Sequence, residues 1–200
     1  MLKKIRRQDC LELYSIFPLS NYNYETEEEN FFYPKIFDQY IFTVASKSFK
    51  GHIKTIGIEL VNLMAILSTE TLIFLGDHQN AWRRQYNDHK PVKEALDYLE
   101  GHNIGKQFNG ALKVDYSELP VFTKHLAWLT RCNAALPNIH FIDPQQNIVG
   151  HICKYGNLHL DSINADTDAV LKSFISSSNL ISLPECIPQP LGRPHRQTLL

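Results

Sequence analysis

The feature that most constrains this chain is a change of hydrophobic period between residues 40 and 77. YIFTVA, Tyr40 to Ala45, is rich in β-branched and aromatic residues and predicts a buried strand. HIKTIGIELVNLMAIL then places Ile56, Leu60, Leu63 and Leu67 at helical spacing, with Ile53, Val61 and Met64 widening the stripe, which predicts a largely buried helix. TLIFLGD, residues 71 to 77, returns to a short continuous apolar run closed by Gly-Asp, the pattern of a strand covered on both faces. A strand, a helix and a strand in succession bury their apolar surfaces by laying the helix on a sheet. The chain is therefore expected to be α/β.

The alternation continues. PVKEALDYLEG carries Pro91 at a first helical position, a stripe of Val92, Ala95, Leu96 and Leu99, and Gly101 as its C-terminal stop. ALKVD at 111 to 115 alternates as a strand, and SELPVFTKHLAWLTRCNAAL forms a long helix with Ser117 as N-cap and Pro120 in the first turn. A last helix, NADTDAVLKSFI, begins at Asn164 with Asp166 and Asp168 near the positive end of its dipole. Upstream, residues 8 to 17 read as a short amphipathic helix ended by Pro18. An irregular segment with an acidic run from Glu25 to Glu29 follows. The expected architecture is a single domain over residues 1 to 183. Its mixed sheet has about six strands, three βα units followed by an antiparallel β-meander, with helices packed on it. Residues 184 to 200 hold four prolines and read as an extended or disordered tail. Strand order is not legible.

Composition removes several classes of function. A formal net charge of -1 gives no excess of Lys and Arg for phosphate neutralisation, so no nucleic-acid partner is expected. No apolar run approaches the roughly 20 residues of a membrane span, and the first residues lack a signal-peptide core, so a soluble cytoplasmic protein is expected. Cys10, Cys132, Cys153 and Cys186 are widely separated with no C-x-x-C pair, a pattern of reduced thiols. No cofactor and no metal are expected on these grounds.

Two stretches concentrate polar chemistry. In NIHFIDPQQNIVGHICKYGNLHLDSI, residues 138 to 163, Asp143 to Asn147 and Lys154 to Asn157 are turn formers, which predicts two hairpins. Opposing Ile142 with Ile148, and Asp161 with either Gly150 or Ile152, puts His151 and Cys153 on an apolar packed face. His140, His159 and Asp161 then share the other face with Gly150. A strand-interior glycine often marks close approach of a ligand, so these four residues form one candidate polar site. Their span is wide for a tetrahedral metal site.

The other stretch is GDHQNAWRRQYNDHK, residues 76 to 90, at the carboxyl end of an apolar strand, where α/β folds place ligands. Asp77, His78 and His89 are the candidate catalytic residues there. Arg83 and Arg84, which can clamp phosphate or carboxylate, are candidate substrate-binding residues together with Trp82 and Asp88, and Tyr86 is available for stacking. IFLGDHQN resembles the G-D-x-x-[DN] block of metallophosphoesterases over five residues, but the accompanying D-x-H and G-N-H-[DE] motifs do not occur, and the resemblance goes no further. No G-x-G-x-x-G, P-loop, G-x-S-x-G or H-E-x-x-H motif is present. The expected function is thus a non-catalytic binding or protein-interaction module, its acidic N-terminal segment, proline tail and aromatic surface meeting a protein partner. The alternative is a small hydrolase or transferase acting on a small anionic ligand at the 76 to 90 loop. Oligomeric state is not legible.

Overall fold

The structure is a computed structural model that describes residues 2–23, 28–84, 88–132, 136 and 139–188, with the backbone alone described between 21 and 31. Its strands are β1 (Leu2–Ile5), β2 (Leu19–Asn23), β3 (Glu28–Phe32), β4 (Asp38–Thr43), β5 (Thr71–Leu75), β6 (Ala111–Asp115), β7 (His140–Ile142), β8 (Ile148–Ile152), β9 (Leu158–Ser162) and β10 (Ile181–Ser182). The helices are α1 (Arg7–Leu13), α2 (Phe49–Ile66), α3 (Lys90–Gly101), α4 (Leu119–Cys132) and α5 (Ala165–Ser177). Eight strands form one sheet in the order β1-β6-β5-β7-β8-β9-β4-β10, and β2 pairs with β3 in a separate hairpin.

The mixed α/β class is as expected, but the sheet corrects both the strand count and the βα units. It has eight strands rather than about six, and every pairing in it is antiparallel. The helical connections do not join parallel neighbours. β4 and β5 run the same way with β9, β8 and β7 between them, while α3 joins two strands that are antiparallel neighbours. The extra strands were hidden for a physical reason. β1 is LKKI, whose two lysines break the apolar signal, and β10 has only two residues. Pairing to a sheet edge needs backbone groups, not hydrophobic side chains.

The helices form where capping and apolar stripe agree. Ser48 caps α2, its side chain accepting a hydrogen bond from the Gly51 N–H, and Asn164 caps α5 by accepting from Thr167 N–H. Gly57 lets α2 approach α4, since a Cβ there would lie 3.1 Å from Pro120 Cα. Both faces of the sheet's centre are covered, as the run TLIFL implied. Leu72 and Phe74 join the main core beneath α2, α3, α4 and α5, whereas Ile73 and Leu75 meet Cys10 and Phe17 of the α1 segment on the second face. The main core turns on an aromatic chain: Phe74 packs at 4.7 Å from Phe122 and 5.2 Å from Phe141 between ring centroids. Among the described residues no helix is long and apolar enough to cross a membrane.

Coverage of the second face is uneven. It is apolar under α1, but toward β7, β8 and β9 its side chains are polar. That polar end positions the site.

Candidate metal centre

The hairpin registers decide which side chains meet. His140 opposes His151, and His151 opposes His159, so the three imidazoles stand in a row across three adjacent strands. Each observed register differs from the expected one by an odd number of residues, because Ile142 pairs with Val149 rather than Ile148, and Asp161 pairs with Val149 rather than with Gly150 or Ile152. A one-residue slip moves a whole strand's side chains to the opposite face. His151 and Cys153 therefore join His140, His159 and Asp161 on the second face, and Gly150 moves to the core. There it makes room for a side chain, not a ligand: a Cβ on Gly150 would sit 2.4 Å from Phe141 Cζ.

The row is packed ring against ring. His151 stacks on His159 with centroids 4.2 Å apart, and His140 meets His151 edge-on at 5.0 Å. Burial pushes the His140 imidazole down to about 4, with the neighbouring His159 pushing the same way. His151 lies well below its ordinary value, from burial first and then from His140 and His159, and burial also lowers His159. Neutral imidazoles keep a free lone pair, the form in which histidine binds metals. The Nε2 of His159 is buried without a hydrogen-bond partner among the described residues. Beside the row, Tyr33 donates a hydrogen bond from its hydroxyl to Asp161 Oδ2 and meets His140 edge-on at 6.2 Å. Burial raises the Asp161 carboxyl, and hydrogen bonds from Tyr33 and Gln39 pull it back.

The far end of the row holds sulfur. Cys153 Sγ, a ring nitrogen of His159 and Cys186 Sγ all lie within 4.8 Å of one another. Cys153 and His159 flank the tight turn between β8 and β9, where Gly156 takes φ +87, a conformation suited to glycine. The turn is held from beneath: His52 of α2 bonds the Gly156 carbonyl through Nε2 at 2.8 Å, and Phe49 and Ile53 fill the space below Gly156. Burial raises the Cys153 thiol to about 11, opposed by hydrogen bonds from the backbone N–H groups of Tyr155 and Asn157, and raised again by Cys186. Those two N–H groups favour the thiolate, which is the ligating form.

Cys186 arrives from the other direction. β10 pairs with β4, and Leu183 N–H donates to Ile41 O at 2.8 Å. The chain then crosses the β8–β9 turn, where Asn157 Nδ2 donates to Ile187 O at 2.8 Å and to Cys186 Sγ at 3.7 Å. The two sulfurs are 3.5 Å apart, and all four cysteines are free thiols. With metal–sulfur bonds of about 2.3 Å, two thiolates at adjacent corners of a tetrahedron stand roughly 3.8 Å apart, so both sulfurs can reach one ion after small adjustments.

The 76 to 90 loop is arranged otherwise. Asp77 Oδ1 accepts from the N–H groups of Gln79 and Asn80 and from Asn80 Nδ2. Arg83 donates to Ile104 O at 3.0 Å and pairs with Glu100 at 2.8 Å. Arg84 donates to Asn80 Oδ1 and Gln79 O. Trp82 is buried, its Nε1 donating to Gly110 O. His78 lies 4.0 Å from Asp77, while His89 sits at the start of α3 with its ring 5.4 Å from Trp128. Asp88 is exposed. Tyr86, Glu25 to Glu27 of the acidic run and tail residues 189 to 200 lie outside the described residues.

Comparison with protein-family models, with curated proteins and with solved structures finds no match. The site therefore rests on its own chemistry. Sequence reasoning missed Cys186 as a partner of Cys153, since 33 residues separate them and the second lies among prolines. Nor did the six-residue spacing of Cys153 and His159 reveal their meeting, because they share a face only in the register that pairs His151 with His159.

Proposed function

We propose that this protein is a non-catalytic metal-binding protein that holds one zinc-class ion through Cys153, His159 and Cys186. The observation that carries this is the convergence of the three donor atoms within 4.8 Å. Two thiolates and an imidazole form a borderline-soft donor set, which suits zinc and its first-row neighbours rather than magnesium or calcium. A structural site takes four ligands, and His151, stacked on His159, would supply an imidazole for the fourth place. The ion would tie the segment after β10 to the β8–β9 turn. The engaged arginines of the 76 to 90 loop speak against the hydrolase or transferase alternative, because an anion would have to displace Glu100, Asn80 and backbone carbonyls.

Cobalt substitution tests the reading. The reduced, metal-free protein is expected to take up one equivalent of Co²⁺ with an intense near-ultraviolet thiolate-to-cobalt band and visible bands of tetrahedral coordination. Cys153→Ser, Cys186→Ser and His159→Ala should each abolish stoichiometric uptake, and His151→Ala should keep the ion but alter the visible bands. Uptake unchanged by Cys153→Ser, or none in the parent protein, overturns the proposal.

A further inference from the structure

We infer that Cys153 and Cys186 also form a reversible disulfide, and that forming it expels the ion while keeping the chain after β10 fastened to the sheet. This rests on the metal reading above and adds its regulation. The sulfurs are 3.5 Å apart, so pairing requires them to close by roughly 1.5 Å to the ordinary S–S length of about 2.05 Å. Cys186 sits outside any helix or strand and can make most of that movement, whereas Cys153 is fixed by the buttressed turn.

The oxidant is a low-molecular-weight disulfide. The partly exposed Cys186 thiolate attacks one of its sulfurs, forming a mixed disulfide and releasing one small thiolate. Cys153 thiolate then attacks the Cys186 sulfur, the protein disulfide forms, and a second small thiolate leaves. Two protein thiolates lose two electrons in all, the small disulfide gains two, and protons follow the thiolates according to pH. Asn157 Nδ2 donates to Cys186 Sγ and to Ile187 O, which keeps the Cys186 sulfur beside Cys153. Once the sulfurs share a bond they no longer act as anionic ligands, and the imidazoles alone hold a zinc-class ion weakly. The two states thus exchange one clip for another: the ion is lost, but residues 183 to 187 remain attached.

The test treats the zinc-loaded protein with excess glutathione disulfide. Expected is one zinc released, read with a chromophoric chelator, for each loss of two hydrogen atoms from the protein's mass, with peptide mapping locating the bond between Cys153 and Cys186. Dithiothreitol and added zinc should reverse both. Hydrogen exchange of residues 183 to 187 should be slow in the zinc-loaded and oxidised forms and fast in the reduced, metal-free form. Zinc retained under oxidation, a glutathione adduct that stops at Cys186, or exchange equally fast in the oxidised and reduced metal-free forms overturns the inference and leaves the metal reading intact. Failure of the reduced protein to bind zinc overturns the metal reading itself, and the proposed exchange of clips with it.

Discussion

The 76 to 90 loop and the β7–β9 face are alike in composition, both dense in histidine and acid, and opposite in how their polar groups are used. In the loop, Asp77, Arg83, Arg84 and Trp82 are engaged by backbone groups and by the side chains of Asn80 and Glu100, holding an irregular segment against the end of the sheet. On the sheet face, neutral imidazoles lie against one another, and the His159 Nε2 has no hydrogen-bond partner among the described residues. Polar density in a sequence does not identify a site. Ligand capacity left over after the fold has used what it needs is the better mark, and it depends on three-dimensional pairing.

The largest effect expected from this contrast is on metal binding. Cys153→Ser should abolish zinc uptake by the reduced protein, measured by equilibrium dialysis, while Arg84→Ala should leave it unchanged. The reverse pattern would move the site to the loop. Next in size is the clip itself. Closing a loop between residues 153 and 186 should stabilise the protein by about 4 kcal/mol over its reduced, metal-free form in urea denaturation, before any strain is subtracted.

What the sequence made legible follows the same division. The stripe from Ile53 to Leu67, the Pro91 and Gly101 boundaries of α3 and the Asn164 cap of α5 are local signals, and each element lies where its pattern put it. Strand neighbours and register are non-local. An error of an odd number of residues at each hairpin of residues 138 to 163 was enough to separate His151 from His140 and His159 and to bring Gly150 among them. Both registers are consistent with the composition of the turns. What decides between them is packing: Phe141 and Leu160 need the space above Gly150, and Asp143, buried, accepts hydrogen bonds from Asn147 and Ile148 N–H and so fixes the turn. Cys186 was beyond reach for another reason, since no local pattern says where a chain goes after a two-residue edge strand.

Acid separates the two ends of the molecule next. Between α3 and α4, His125 is buried against Tyr98, and its imidazole falls from 6.5 to about 4, through burial first, then Lys124 and His102, against the opposing pull of Glu94 and Glu118. The unfolded chain binds a proton that the folded one refuses, so this contribution is whole above about 6.5 and is lost as pH falls toward about 4. One such group gives a slope of up to about 1.4 kcal/mol per pH unit in that window. Urea titrations of the metal-free protein should show a shallower acid limb in His125→Phe; an unaltered limb would assign the slope to the histidine row instead.

The face assignment can be sharpened with Gly150. A methyl group at this position collides with the Phe141 ring and Leu160, so Gly150→Ala should cost about 1–3 kcal/mol as an overpacked core residue. Zinc affinity at moderate denaturant-free conditions should change little, because the methyl points away from the histidines. A loss of affinity with no loss of stability would return Gly150 to the polar face.

The smallest effect belongs to the loop. Asp77→Ala removes an acceptor shared by Gln79 N–H, Asn80 N–H and Asn80 Nδ2, and these donors lie near the surface where water can replace it. The cost should be about 1 kcal/mol, in the range of a lost capping side chain. Asp77 also stands near Arg7, whose guanidinium donates to the Gly76 carbonyl and is partly desolvated, so Arg7→Ala should soften the same loop, and the pair should be non-additive in a double-mutant cycle. Neither substitution should touch zinc binding. If Asp77→Ala instead left stability unchanged, its carboxylate would not be holding the loop, and it would be available for the acid/base role that its position at the end of β5 first suggested.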